Sequence, residues 1–355
     1  MIDTPSPVQE PAAPWVSIII VNYNAGAFLQ KAIDKVAEQS DQNFELILLD
    51  NASTDGSIEA LDTQHIQNFK LIKLEENIGF AAGNNLAAKQ ARGEWIALLN
   101  PDTEARGNWL AAFKVAKNTY PETVMFAGAT LNTSNPDIMD GAGDCYYGFG
   151  IPWRGGYGRP SQEMPEIGEC FSACGASALI HKSTFLDIGG FDERFFCYCE
   201  DVDLGFRLRL EGHRCVFWPD AVVLHFGSGT TSVASDFSVR HGTRNRLWTF
   251  VKNMPPLGLI LCLPIHLALT FALLVRGLMA GRGNATWLGL RDGIIGLGPI
   301  WASRQHVHAR RKLSTWQIWK SMSWRWRTLR ERRVDVKPLA ALPPKPDAPQ
   351  TDITD

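Results

Sequence analysis

The segment FFCYCEDVDLGFRLRL, residues 195–210, places Glu200, Asp201 and Asp203 within four positions, directly after a run of aromatic residues. Like charges held that closely repel one another unless a cation sits among them or one of them is wanted as a base. A carboxylate beside Phe195, Phe196 and Tyr198 is partly desolvated, which moves its pKa toward useful basicity. The plainer account is a helix start, where acids suit the N-terminal dipole and pair with Arg207 and Arg209 one turn later. A second set of polar residues closes successive apolar runs: Asn22, Tyr23 and Asn24, then Asp50 and Asn51, then Asn77, then Asn100 and Asp102. An aromatic ring with amide and carboxylate partners can stack on a nucleobase and hydrogen-bond a ribose. At one strand end, helix capping would explain such residues. Four in succession make capping the weaker account.

The intervening pattern says how these groups are positioned. VSIIIV (16–21), FELILLD (44–50), FKLIKLE (69–75) and EWIALLNPD (94–102) have strand character, and helical spacing recurs between them, as at Phe28, Leu29, Ala32, Ile33 and Val36. Alternation at this interval predicts βαβ units and a mostly parallel α/β sheet, with ligands expected at the C-terminal ends of its strands. The first turn, NYNAGAF, lacks the G-x-G-x-x-G of dinucleotide folds. It also lacks the cation that a triphosphate-handling nucleotidyltransferase would need there. Residues 130–190, rich in glycine, proline and aromatics, read as long loops and short strands that serve substrate specificity.

The 355 residues can bury a large core, and the formal net charge of −2 conceals an asymmetry. From Arg304 to Arg333, ten basic residues face one acid, Glu331, so that segment carries +9 and the remainder −11. The seven cysteines show neither a disulfide framework nor paired C-x-x-C spacing, and MIDTPSPVQEPAAPW has no secretory pattern, so a reducing cytosol is expected. Residues 255–275 hold 21 positions without a formal charge, about the length that spans a bilayer. Pro264 and His266 interrupt the run, however, and a single crossing would carry the basic segment outward. The expectation is a region lying on the anionic inner face of the membrane, with tryptophans beside lysines and arginines at headgroup level. The alternative is helices packed on the catalytic domain or at a homodimer interface. No nucleic-acid partner is expected. The divisions are a disordered lead (1–14), a catalytic domain (15–253), an apolar then basic helical region (254–335) and a disordered tail (336–355).

VSIIIVNYN, LLDNASTDGS, NIGFAAGNN, LLNPD and GGFDERFFCYCEDVDLGFRL, in that order, resemble the motifs of the family 2 inverting glycosyltransferases of GT-A fold, over roughly residues 15–250. NIGFAAGNN with NPD most resembles the bacterial rhamnosyltransferase branch, which uses dTDP-rhamnose. The resemblance implies that Asn22, Tyr23, Asp50, Asn51, Gly79, Asn84 and Asn100 serve the nucleotide-sugar donor. Asp102 matches the last carboxylate of the family's metal motif, whose first Asp is here Asn100. His225 matches a histidine that completes the metal shell in some members, so a divalent cation is implied, Mg²⁺ or, given an imidazole ligand, Mn²⁺. Asp201 would be the base that deprotonates the acceptor hydroxyl. Gly175, Glu200 and Asp203 would adjoin the acceptor, which is lipid-linked or a polysaccharide, and Arg207 would offset the negative charge. A UDP-sugar donor, a sugar nucleotidyltransferase and a non-catalytic glycan-binding module are the alternatives.

Overall fold

The computed structural model describes residues 13–227 and 235–339, so most of the expected lead and tail lies outside the described residues. The chain alternates β1 (Val16–Asn22), α1 (Ala27–Ala37), β2 (Phe44–Asp50), β3 (Phe69–Lys73), α2 (Gly79–Gln90) and β4 (Trp95–Leu99). These four strands pair in parallel in the order β4-β1-β2-β3. Every residue of β1, β2 and β4 is buried, as expected of strands covered on both faces, and this is why they read as unbroken apolar runs. The register sets Asn22 level with Asp50 at the C-terminal edge. The polar strand ends therefore converge on one crevice.

Beyond β4 come β5 (Thr103–Ala105), α3 (Trp109–Thr119), β6 (Met125–Asn132), β7 (Met139–Ala142), β8 (Asp144–Tyr147), β9 (Ile151–Arg154), β10 (Gly168–Cys170) and β11 (Ser177–His181). Next are α4 (Lys182–Asp187), α5 (Glu200–Leu210) and β12 (Cys215–His225). β11 runs antiparallel between β4 and β6, while β12 lies parallel to β6 and extends the sheet. β8 and β9 form a separate hairpin in which Asp144 faces Arg154 directly. The region expected to hold loops and short strands thus carries charged residues to the crevice.

The C-terminal region contains α6 (Asp236–Asn253), α7 (Pro256–Met279), α8 (Gly283–Ile295), α9 (Leu297–Ala309), α10 (Thr315–Ser321) and α11 (Trp326–Arg330). Much of it packs on the rest of the chain. The Trp248 indole donates to the Gly293 carbonyl at 2.9 Å, and Arg304 donates to the carbonyls of Val251 and Met254 at 2.8 and 2.6 Å. Lys337 pairs with Glu169, and Leu339 joins the main core. α7 differs. Its buried residues, Gly258, Cys262, His266 and Thr270, recur every fourth position on one face. Leu257, Ile260, Leu261, Leu267 and Phe271 are more than half exposed. Among the described residues α7 is the one helix long and apolar enough to cross a membrane, and little of it is buried.

Candidate active site

At the donor end of the crevice, the buried Asn22 amide donates to Asp50 Oδ1, Ser53 Oγ and Ser57 Oγ at 3.1, 3.0 and 3.2 Å, which fixes the edge of the first two strands. Tyr23 beside it is 44% exposed and free to stack on a planar ligand. Asn51 is spent differently. Its side chain accepts from Ile78 N–H (2.9 Å) and donates to Gly79 O (3.1 Å), so it shapes the loop before α2 instead of meeting a ligand. Asn84 is likewise turned into its own helix, donating to Phe80 O at 2.9 Å. Gly79 has φ +88°, and a Cβ there would lie 2.6 Å from the Phe196 ring, so its role is close packing of α2 on the loop before α5. In all three residues the geometry shown is a positioning one, toward α2 and the loop before α5.

Asp102 and His225 meet where β12 ends. His225 Nε2 is 3.3 Å from Asp102 Oδ1, and Nδ1 is 2.7 Å from Asp140 Oδ2. Two ligands at right angles on an octahedral ion with bonds of ~2.1 Å stand about 3 Å apart, so the Asp102–His225 pair suits a small divalent cation. Asp140 holds the proton on Nδ1, so Nε2, facing Asp102, is the nitrogen a metal could reach by displacing its proton. Burial works against charge on His225, but the bonds to Asp102 and Asp140 outweigh it and raise its pKa to about 9. Burial likewise opposes charge on Asp140, yet Arg154 and His225 hold its carboxyl below the usual range. Asn100 is half-buried next to this pair, and its carbonyl accepts from Thr103 N–H at 3.3 Å.

The three carboxylates at the start of α5 have separate fates. Asp203 is fully buried and bound by Arg207 Nε (2.8 Å), Lys252 Nζ (2.9 Å) and Asn253 Nδ2 (2.7 Å). It cannot orient an acceptor, and its partner Arg207, which also donates to the carbonyls of Ile188 and Gly190, does not offset charge in the crevice. Glu200 is buried with Oε2 lacking a partner among the described residues. Burial, reinforced by Asp201, pushes its carboxyl well above the ordinary range. Asp201 is half-buried and so is the one of the three that opens to the crevice. Burial raises its pKa against the opposing N–H groups of Gly175 (3.2 Å) and Val202 (2.8 Å) and the charge of Arg154. Gly175 thus touches the carboxylate itself through its backbone.

Four residues of this site received no catalytic or binding role from the sequence. Asp144, Cys174 and Asp201 bring ligand-type atoms within 4.8 Å of one another. Burial and Asp201 push the Asp144 carboxyl well above its ordinary pKa. Burial disfavours the Arg154 charge, but Cys174, Asp140, Asp144 and Asp201 around it outweigh that and raise its pKa. This guanidinium supplies positive charge to the cluster. Arg154 also pairs with Asp140, joining the Asp102–His225 pair to the Asp201 cluster. The fourth residue is Asn245 of α6. Its amide is shared among the carbonyls of Phe195, Cys197 and Tyr198 at 2.8–2.9 Å, across a loop where Phe196, Tyr198 and Cys199 all have positive φ. Strain of this kind persists only where the surroundings hold it. The GAGD and WRGG segments and an Asn within a largely polar helix are ordinary in type, so only their placement reveals them.

Residues 17–128 match the family model described as Glycosyl transferase family 2. Over those residues the chain carries that family's pattern. This glycosyltransferase is 28% identical over 259 residues to an N-acetylglucosaminyl-diphospho-decaprenol L-rhamnosyltransferase of Mycobacterium tuberculosis, a match covering 63% of the chain and 80% of that protein. It is 30% identical over 251 residues to the O-antigen biosynthesis protein RfbC of Myxococcus xanthus, covering 64% of the chain and 19% of that longer protein. Among solved structures, it resembles a mannosyltransferase from Pyrobaculum calidifontis in complex with GDP-Man and Mn²⁺, with TM-score 0.50 and 17% identity over 84% of the chain and 86% of that one. At that identity the likeness is one of fold: the glycosyltransferase has a GT-A architecture.

Proposed function

We propose that this glycosyltransferase inverts the anomeric centre as it moves L-rhamnose from dTDP-rhamnose to a hydroxyl of a lipid-linked or polysaccharide acceptor in cell-surface glycan synthesis. The observation that carries the reading is the isolation of Asp201. It alone of the α5 carboxylates reaches the crevice, with its pKa raised by burial and its orientation fixed by Gly175 N–H. Asp201 takes the proton of the acceptor hydroxyl. The freed oxygen attacks the anomeric carbon, and the nucleoside diphosphate leaves from the opposite face with the bonding pair. Glu200 and Asp144, held neutral, place no second negative charge against the incoming hydroxyl. Tyr23 and Asp50 receive the nucleoside.

Asp102 with His225 would hold a divalent cation, which supplies Lewis-acid stabilisation of the departing diphosphate. Their spacing and the Asp140 hydrogen bond support that role, and an imidazole ligand tilts the preference toward Mn²⁺ over Mg²⁺. The rhamnosyl and lipid-linked assignments draw on the mycobacterial relative's name and on NIGFAAGNN with NPD. The exposed apolar face of α7, together with the basic segment, supports docking on the cytoplasmic membrane face. Full-length protein should bind anionic liposomes and not neutral ones. A donor panel of dTDP-rhamnose, UDP-galactose, UDP-N-acetylglucosamine and GDP-mannose, scored by nucleoside diphosphate release, tests the donor. Selective use of a UDP-sugar would replace rhamnose in this reading.

A further inference from the structure

A groove of about 450 Å³ opens between α7 and α10, walled by Phe149, Leu261, Cys262 and the indoles of Trp316, Trp319 and Trp324. Lys320 is the one charged residue that lines it. Its aromatic wall is built, not incidental. Trp324 meets Trp319 and Phe149 edge-on, with centroids 5.5 and 5.4 Å apart. Trp324 also lies so close over the turn between β8 and β9 that a Cβ on Gly148 would stand 2.3 Å from its ring. A glycine is therefore required there.

That turn ties the groove to the chemistry. β8 begins at Asp144, beside Asp201 and Arg154, and runs out to Phe149 in the groove wall. Five residues of mostly extended chain span on the order of 15 Å, comparable with the length of a sugar diphosphate. Lys320 lies within the groove wall, and its own backbone is fixed by Lys337, whose ammonium donates to the carbonyls of Lys320 (2.5 Å) and Met322 (3.0 Å). On its outer side the groove runs into the exposed face of α7, where Leu261 is 56% exposed. An occupant that is apolar at one end, carries an anionic group on the order of one strand-length from Asp201, and arrives from a membrane meets all of these conditions at once.

We infer that this groove binds the first isoprenoid units of a lipid-linked acceptor, with Lys320 beside its diphosphate and the terminal sugar at Asp201. The inference rests on the reading that the acceptor is lipid-linked. Flat, methyl-branched units suit indole faces and edges, and the wall of this groove is almost wholly apolar.

The test uses the full chain in detergent micelles, with acceptors carrying one sugar-diphosphate head on short, intermediate and long isoprenoid tails. In the unmodified protein, KM should fall as the tail lengthens and then level off once the groove is filled. Trp316→Ala and Leu261→Glu change exposed side chains, so the fold should survive. Each should raise KM for the long-tailed acceptor roughly tenfold, the loss of one well-packed apolar contact, while donor hydrolysis and turnover of the shortest acceptor stay the same. Tail-independent KM in the unmodified protein, or equal slowing of every acceptor by the variants, would overturn the inference alone. An effect confined to vesicles and absent from micelles would also overturn it, since the surface would then only dock the bilayer. Transfer to a tail-free polysaccharide and to no lipid-linked acceptor would remove the underlying reading as well.

Discussion

His225 Nδ1 lies 2.7 Å from Asp140 Oδ2, and this hydrogen bond decides which nitrogen of the imidazole faces Asp102. A carboxylate only accepts, so Nδ1 keeps its proton and Nε2 is the nitrogen a metal could reach by displacing its proton. Outer carboxylates of this kind commonly tune metal affinity by ten- to a hundredfold. Asp140→Asn should therefore weaken Mn²⁺ binding by about that factor, measured by calorimetric titration of the metal in the presence of nucleoside diphosphate. Asp102→Ala should abolish both binding and activity. Unchanged Mn²⁺ affinity in Asp140→Asn would show that the pair is only a structural ion pair.

Asp203 should behave as a structural residue. Its carboxylate is fully buried among Arg207, Lys252 and Asn253, and removing one member leaves uncompensated buried charge, which costs roughly 3–5 kcal/mol. Urea unfolding of Asp203→Asn should show a loss of that order, with acceptor KM near normal in the fraction that folds. Full stability with a selectively raised acceptor KM would return Asp203 to the acceptor site.

The strands β1 to β4 and their parallel class were legible because strands buried on both faces leave unbroken apolar runs, and the polar residues that close those runs share the crevice edge. Asp102 stood out as the close of a patterned strand and Asp201 as part of an acidic cluster, whereas His225 was marked only by the family resemblance. What the pattern could not show was the direction each side chain turns. Asp201 and Asp203 look equivalent two residues apart, yet one opens to the crevice while the other faces Lys252 from α6. Arg154 illustrates the same limit. The cation that the acidic cluster demands comes from a hairpin about fifty positions upstream, not from Arg207 one turn along. The apolar run at 255–275 was visible in composition, but the packing of α8 and α9 on α6 depends on contacts such as Trp248 with Gly293, which no local pattern announces.

His266 couples stability to pH. Its ring stacks on Phe250 at 4.0 Å, Nδ1 faces the Phe149 carbonyl at 3.0 Å, and Nε2 has no partner among the described residues. Burial, with Arg246 nearby, lowers its pKa from 6.5 to about 4. The unfolded chain therefore binds the proton first. The stability held by the neutral ring is complete above 6.5 and is lost as pH falls toward 4. Thermal denaturation should show Tm dropping across that window, with a shallower slope in His266→Gln. An identical slope in the variant would assign the effect to other groups.

The central claim is that Asp201 is the base of a glycosyl transfer. The most direct measurement is nucleoside diphosphate release from dTDP-rhamnose with a lipid-linked acceptor, for the unmodified protein and for Asp201→Asn, with donor affinity measured alongside by titration. The account predicts that the variant loses ~10²-fold or more of its turnover while binding donor within a few-fold of the unmodified protein. Near-normal turnover in Asp201→Asn, with donor binding unchanged, would contradict it.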